Sequence, residues 1–376
     1  MKEKVLMLAS VASMIDQFNI PNIKLLQNMG YEVHVACNFE KGSSCSNERV
    51  QTLKKILEEL KVKYYQIDFE RNILKIINNI KAYKQVKKIL LENKYKFLHC
   101  HSPIGGVVGR LAGYKTQTKV IYTAHGFHFF KGAPLINWLL YYPIEKYLSK
   151  YTDVLITINK EDYKRAKTFH AKKVEYIPGV GIDVEKIRSI KVDKEAKRKE
   201  LGLTKENIVL LSVGELNKNK NHSIVIKALA KINNPNIYYL ICGQGKLKEE
   251  LIKLAKDLKI EKNVKLLGFR KDVYEIYKIS DIFIFPSKRE GLSVALMEAI
   301  CCDLPIICSN IRGNNDLVEN GKNGFLVKVI EKNEYIEKIK LSKNLEKSTE
   351  KILAKINIQN IEQKMITIYA EFVEKI

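Results

Sequence analysis

The sequence predicts an α/β protein built from two doubly wound parallel sheets. Short runs rich in Val, Ile, Leu, Phe and Tyr alternate with helical stretches along the chain, the signature of strand–helix–strand units. The alternation falls into two series, separated by the Gly- and Pro-rich segment Tyr176-Ile-Pro-Gly-Val-Gly-Ile-Asp183, read as a hinge. At 376 residues and 46% hydrophobic content, the chain is too long for one ordinary core and suits two.

The first series of expected strands is Lys4–Ala9, Glu32–Ala36, Lys63–Ile67, Phe97–His99, Val120–Thr123 and Val154–Ile158. The second is Ile208–Val213, Ile237–Ile241, Val264–Leu267, Ile282–Phe285, Pro305–Cys308 and Gly324–Val327. The expected organisation is a first domain over 1–177, a second over 178–355 and an amphipathic helix over 356–376. In such sheets ligands bind outside the carboxyl ends of the strands. Met1-Lys-Glu-Lys-Val-Leu6 reads directly as a strand, with no signal-peptide cleavage pattern. No run of about 18 apolar residues is present to span a bilayer.

The densest chemistry lies in Glu290-Gly-Leu-Ser-Val-Ala-Leu-Met-Glu298, after the apolar run Asp281-Ile-Phe-Ile-Phe-Pro286. A buried strand, a polar turn, a glycine and a helix, with a carboxylate at each end, suit a ligand site of a parallel sheet. The helix is expected to begin near Gly291. Its first N–H groups would lack intrahelical partners at the positive end of the dipole, so a diphosphate fits against Gly291, Leu292 and Ser293. Glu298 sits among Ala295, Leu296, Met297, Ala299 and Ile300, a setting that disfavours an idle charge. The competing account is a pair of solvated surface glutamates.

Other positions bear chemistry singly. Lys220 follows the strand end Val213-Gly214, where a cation neutralises a diphosphate leaving group; its alternative is an ordinary surface lysine. His125 lies between a strand end and a glycine, at a position that faces a ligand if the sheet is right. His128 is a weaker candidate of the same loop. Gly105, Gly106 and Gly109 either approach an anion or permit close helix packing. Neither Gly243-Gln-Gly-Lys246 nor the first strand carries Gly-x-Gly-x-x-Gly, which argues against a dehydrogenase. The seven cysteines include no Cys-x-x-Cys and read as small reduced core residues. For His99-Cys100-His101, alternation of strand side chains is expected to spoil convergence on a metal.

These segments carry a resemblance. The Glu290–Glu298 run, the preceding Phe-Pro-Ser, Gly268-Phe-Arg-Lys-Asp272, Gly214-Glu-Leu-Asn-Lys-Asn-Lys-Asn221 and Asn320-Gly-Lys-Asn-Gly-Phe325 occur in the order seen in family 4 retaining glycosyltransferases. Ser10-Val-Ala-Ser13, Phe18-x-x-Pro21, His99-Cys-His-Ser-Pro103 and His125-Gly-Phe-His128 resemble the subgroup that adds sugars to lipid-linked oligosaccharides. The likeness covers nearly the whole chain.

It implies a GT-B fold, two Rossmann-like domains facing a cleft, with the last helix crossing back onto the first. It implies retaining transfer of a hexosyl or N-acetylhexosaminyl group, without metal or cofactor, from a nucleotide sugar, expected to be a UDP-sugar. The implied acceptor is a polyprenyl-diphosphate-linked saccharide of bacterial exopolysaccharide, capsule or glycan assembly. In that scheme Glu290 holds sugar hydroxyls and Glu298 the ribose. Lys220 and the Gly291–Ser293 segment stabilise the diphosphate beside Gly214. Gly268, Phe269 and Arg270 meet the base through backbone groups, and His125 orients the sugar. Ser13, Asp16 and His101 are the candidate acceptor contacts. The chain departs from the family at Glu215, where an Arg is usual, leaving Lys218 or Arg289 as the second phosphate cation. Ser13-Met14-Ile15-Asp16 also replaces the usual glycine pair of the first loop.

The 65 basic and 42 acidic residues give a net charge of +23, which calls for an anionic partner. Leu53–Lys63 and Lys81–Lys96 alternate Lys with Ile and Leu at helical spacing, as a helix on an anionic membrane surface does. Pro134-Leu-Ile-Asn-Trp-Leu-Leu-Tyr-Tyr-Pro143 is expected to be a buried helix, with lipid headgroups as its alternative contact. The expected location is cytoplasmic, peripheral on the inner membrane face. A nucleotide-sugar epimerase or polymer-extending synthase of the same fold is the second reading, and a basic nucleic-acid-binding protein the third. The third is disfavoured because the lysines are scattered and no basic patch interleaves with aromatics.

Overall fold

The computed structural model describes residues 2–42, 45–70, 75–341 and 350–374, so Met1 and the last two residues of the expected final helix lie outside it. The chain divides into two compact units, one of residues 1–180 with 361–376, the other of residues 181–360.

The first unit is a seven-stranded parallel sheet: β1 Lys4–Leu8, β2 Glu32–Cys37, β3 Lys63–Gln66, β4 Phe97–His101, β5 Lys119–Ala124, β6 Val154–Thr157 and β7 Lys173–Tyr176. Their order is β3-β2-β1-β4-β5-β6-β7, all parallel. Helices cover both faces, so central strands such as β1 and β4 are almost fully buried on both sides, β4 carrying His99 and His101 on one of them. The order turns at β1 and β4, and the loops after these two strands diverge there.

One face of this sheet is closed partly by the chain's end. Ile361, Met365, Ile368, Tyr369 and Phe372 of the helix Ile358–Glu374 join Val5, Met7, Val35 and Phe97 in one core. Phe97 stacks on Tyr369 and meets Phe372 edge-on. The helix Pro103–Thr116 lies on the other face. A Cβ on Gly106 would come within 2.4 Å of the Tyr122 ring, and one on Gly109 within 2.9 Å of Cys100 Cβ. Those two glycines therefore serve close helix–sheet packing rather than an anion. Arg110, fully buried on this helix, pairs with Glu145 at 2.8 Å and lies over the Tyr122 ring.

The second unit is a six-stranded parallel sheet: β8 Ile208–Val213, β9 Ile237–Cys242, β10 Val264–Gly268, β11 Ile282–Phe285, β12 Ile306–Ser309 and β13 Gly324–Val327. Its order, β10-β9-β8-β11-β12-β13, turns between β8 and β11. Cores on its two faces are built around Leu211, Phe283 and Ile300, and around Leu210, Ile241 and Ile284.

Four local expectations need correction. Strand β7 was missed because Lys-Val-Glu-Tyr alternates polar and apolar at a sheet edge, with every residue half-buried. The helix expected near Gly291 begins at Val294, with Ser293 as its N-cap accepting from the Leu296 N–H. The segment 134–143, expected to bury itself, forms the helix Leu135–Leu148 with one face packed and one bare. Trp138, Tyr141 and Tyr142 pack on the core, whereas Leu135, Ile136 and Leu139 are 80%, 64% and 74% exposed. Fourth, His99 and His101 converge after all, their rings 4.2 Å apart. Side chains two positions apart share a strand face, and only Cys100 points to the other.

All seven cysteines are free, five of them buried. Among the described residues, no helix is long and apolar enough to cross a membrane, and no group of three or more His, Cys, Asp or Glu is arranged to hold a metal.

Candidate functional site

In the second unit the predicted residues gather where β8 and β11 part. After β8 the chain turns through Gly214, and the segment 217–221 is tied to the loop after β11. Asn217 Oδ1 accepts from the N–H groups of Asn219 and Lys220. The Asn219 carbonyl accepts from the Lys288 N–H, and the Asn219 amide donates to the Arg289 carbonyl. Asn221, at φ 56°, donates to the Pro286 and Val329 carbonyls. This lacing holds Lys220 Nζ 2.8 Å from Glu290 Oε1 and 4.7 Å from the Phe285 ring centre. The pair is largely sheltered, with Lys220 18% and Glu290 15% exposed at their side chains.

Glycine is required twice around it. A Cβ on Gly243 would lie 1.9 Å from the Gly214 carbonyl oxygen, and one on Gly313 would lie 2.2 Å from that of Gly291. The strand-end turn and the Gly291 loop are thus pressed against neighbouring backbone. The Glu290 carbonyl also accepts from Arg312 Nε. Gly291 and Leu292 precede the helix as half-buried loop residues, and Ser293 is buried with its hydroxyl occupied in capping.

Glu298, four residues into that helix, has a tyrosine hydroxyl against each carboxylate oxygen, Tyr274 at 3.0 Å and Tyr277 at 3.1 Å, the latter shared with the Ala295 carbonyl at 3.0 Å. Burial raises its pKa and the two tyrosine hydroxyls oppose this. Each oxygen keeps a lone pair with which to accept a ligand hydroxyl.

Gly268 turns the chain after β10 at φ 70°, and Phe269 beyond it is 71% exposed. Arg270 forms two bonds to Asp272 and one of 2.8 Å to Glu200, and Lys197 meets the same Asp272 and Glu200. Its guanidinium is committed to this ion network, and the base contact expected of this turn is one of backbone groups. Lys218 and Arg289 are exposed on the laced loops.

In the first unit the corresponding turning point lies between β1 and β4. Ser10, past β1, and Ser102, past β4, meet there, with hydroxyl oxygens 2.8 Å apart and the Ser10 N–H donating to Ser102 Oγ. Ser102 has φ 65° and ψ 156°, a conformation that strains a residue with a Cβ and recurs at functional sites.

Three histidines line up beside this pair. His99 is clamped between the hydroxyls of Tyr369 and Thr123, each at 2.8 Å. His101 Nδ1 is 3.1 Å from His125 Nε2, and His101 Nε2 is 3.1 Å from the Met7 sulfur. Sulfur only accepts, so His101 carries its proton on Nε2 and His125 donates from Nε2. That leaves His125 Nδ1 a bare acceptor, with no partner found among the described residues. Burial lowers the pKa of all three, His125 to about 4 and His99 to about 3, so they are neutral near pH 7. Phe18 packs on the His125 ring at 5.4 Å.

The acceptor candidates are not brought together here. His101 is 1% exposed, with its ring nitrogens facing His125 and Met7. Ser13 is buried in the helix Ala12–Phe18. Asp16 is held by two bonds from Arg49, at 2.7 and 2.8 Å. Sequence reasoning missed Tyr274, Tyr277 and Arg312, and it quoted Asn217, Asn219, Asn221 and Ser102 only as parts of motifs, without a role for any of them.

Two family models match the chain: "Glycosyl transferases group 1" over residues 193–357 and "Glycosyl transferase 4-like" over residues 4–159. A putative glycosyltransferase, EpsD of Bacillus subtilis, is 36% identical over 337 residues, covering 88% of this chain and 84% of that protein. The UDP-Gal:alpha-D-GlcNAc-diphosphoundecaprenol alpha-1,3-galactosyltransferase of Escherichia coli is 31% identical over 331 residues, covering 86% and 82%. Among solved structures, Anabaena Alr3699/HepE in complex with UDP-glucose superposes with a TM-score of 0.77 at 19% identity, over 98% of this chain and 99% of that one.

Proposed function

This chain belongs to the group 1 glycosyltransferases and has the GT-B fold, and on that premise we propose that it moves a sugar from a UDP-sugar to a polyprenyl-diphosphate-linked saccharide with retention of configuration. The observation that carries the reading is the sheltered Lys220–Glu290 pair at the turning point of the second sheet. A lysine so placed offsets the charge of a departing diphosphate, and its carboxylate partner accepts from sugar hydroxyls. The name of the Escherichia coli relative supports a UDP-sugar donor and a diphospholipid acceptor.

In this scheme Glu298, steadied by Tyr274 and Tyr277, accepts from the ribose hydroxyls. The backbone of Gly268 and Phe269 meets the base. Lys220, with Lys218 or Arg289 as the second cation, serves the diphosphate, so transfer proceeds without a metal. The acceptor oxygen forms the new bond to the anomeric carbon as the bond from that carbon to the diphosphate oxygen breaks, and the acceptor proton passes to the leaving phosphate. His125 Nδ1 accepts from a hydroxyl of the transferred sugar. The bare face of the helix Leu135–Leu148, with Lys146 and Lys150 nearby, supports peripheral attachment to an anionic membrane.

The test is thermal unfolding with UDP, GDP, ADP or no nucleotide, repeated on Glu298→Ala. A ligand at 100 times its Kd adds about 2.7 kcal/mol to the folded state. A rise with UDP that Glu298→Ala abolishes supports the reading, and no response to any nucleotide counts against it. Incubation with UDP-sugars and a lipid-diphosphate saccharide then separates transfer from epimerisation by its product.

A further inference from the structure

The first unit contains a cavity of about 800 Å3 that extends well beyond the Ser10, Ser102 and His125 described above. It runs along the helix Pro103–Thr116, whose Pro103, Ile104, Val107, Val108, Leu111 and Lys115 all line it. Those positions form one stripe of the helix, about 18 Å from end to end at 1.5 Å per residue. The opposite walls come from Ile80 and Tyr83 and from Tyr141 and Ile144.

Its polar lining comes from the two ends, from Asn79 beside Ile80, from the tyrosines Tyr83, Tyr122 and Tyr141, and from one neutralised pair. Ser10, Ser102, His125 and His128 line one end, and Lys115 lies at the other. Glu145 also reaches the wall, but it is paired with buried Arg110. Between the ends, Ile80, Val107, Val108, Leu111 and Ile144 offer hydrocarbon only. A saccharide laid along this length would lose hydrogen bonds to water without replacing them, whereas an apolar chain would not. Protein interiors seldom keep voids of this size, and ligand sites do.

We infer that this cavity holds the first isoprenoid units of the lipid acceptor; the inference rests on the lipid-linked acceptor proposed above. Continuity with an apolar surface supports this occupant over others. Ile80 lines the cavity and is 47% exposed, marking a mouth. The helix that supplies Tyr141 and Ile144 inside carries exposed Leu135, Ile136 and Leu139 outside. A chain leaving a bilayer beneath that face can stay in contact with hydrocarbon as it enters. Lys115 on the rim suits the anionic headgroup region.

The test measures binding of farnesyl diphosphate and of inorganic diphosphate to the full chain and to Leu111→Glu and Val107→Trp, both at half-buried wall positions. Farnesyl diphosphate should bind at least about tenfold tighter than inorganic diphosphate, because its apolar chain is taken out of water. Each variant should erase that preference while keeping its thermal response to UDP. A photoreactive farnesyl diphosphate should label peptides within 103–115 or 135–148 of the unaltered chain, which removes any dependence on the folding of the variants. Equal affinity for the two diphosphates, unchanged preference in both variants, or labelling elsewhere would overturn the inference. If farnesyl diphosphate binds as expected while no UDP-sugar supports transfer, the cavity keeps its ligand and the catalytic reading fails instead.

Discussion

The ammonium of Lys220 donates to Oε1 of Glu290 at 2.8 Å, across 70 positions of sequence, because two loops leave adjacent parallel strands at the point where the second sheet changes direction. The two charges neutralise each other. A diphosphate would draw the lysine away and release the carboxylate to sugar hydroxyls.

Removing either member should therefore cost transfer without unfolding the protein. Lys220→Ala is expected to lower kcat/KM by about 100-fold or more, the scale of losing one charge-stabilising donor. Glu290→Ala should cause a similar loss, and the double variant should fall short of the product of the two because they act as a unit. Near-normal turnover by either single variant would contradict the assignment.

The two tyrosines beside Glu298 give a graded test. Tyr277→Phe removes one of the two hydroxyls fixing the carboxylate, and with it the bond to the Ala295 carbonyl, and should weaken UDP binding about tenfold or more, the scale of one hydrogen bond to a charged group. Glu298→Ala should lose the UDP response altogether. Calorimetric titration with UDP distinguishes these outcomes from no effect.

At Gly313 the φ of 80° and the nearby Gly291 carbonyl leave no room for a methyl group. Gly313→Ala should destabilise the second unit by about 1–3 kcal/mol and displace the Gly291 loop, so affinity for UDP should fall with the unfolding midpoint. A variant as stable as the original would show that the loop yields freely.

Acid should loosen the fold through its buried histidines. His99 and His222 are held neutral by burial, with pKa values lowered to about 3 and about 4. Their unfolded value is near 6.5, so the unfolded chain binds more protons below it. The stability they contribute is complete above pH 6.5 and is lost as pH falls from there towards 4, at up to about 1.4 kcal/mol per pH unit for each. Unfolding midpoints at pH 7, 6, 5 and 4.5 should decline along that window, and His222→Gln should flatten the slope.

The position of His125 yields a separate pH prediction. Because burial keeps it neutral down to about pH 4, transfer should show no loss attributable to this group between pH 6 and 8. His125→Ala should reduce turnover at every pH in that range. A titration near 6.5 that vanishes in His125→Ala would show that the ring is solvated and charged in the working enzyme.

Most strands were legible because a parallel sheet covered on both faces demands short apolar runs, and these are visible in one dimension. Lys173–Tyr176 escaped because an edge strand half-open to solvent needs no such run. The Gly291 loop was misread as helix because apolar content there cannot reveal a cap; Ser293 turns its side chain to the Leu296 N–H and sets the start. The bare face of the Leu135 helix was misread as buried because composition reports apolarity and not which neighbour covers it.

The local residue pattern alone determined the strand–helix alternation and which loops carry glycines, carboxylates and cations, since periodicity and turn chemistry act over a few residues. Only the tertiary structure decided which of those loops meet. It joined Lys220 to Glu290, Tyr274 and Tyr277 to Glu298, and Ser10 to Ser102. It also spent Arg270 on Asp272 and Asp16 on Arg49, removing both from the surface chemistry their letters suggested. It set His99, His101 and His125 in a row, with Tyr369 reaching back from the end of the chain to fix the first. The reason is that strand order in a doubly wound sheet is set by how helices and side chains pack across it, a property of pairs far apart in sequence that no local pattern encodes.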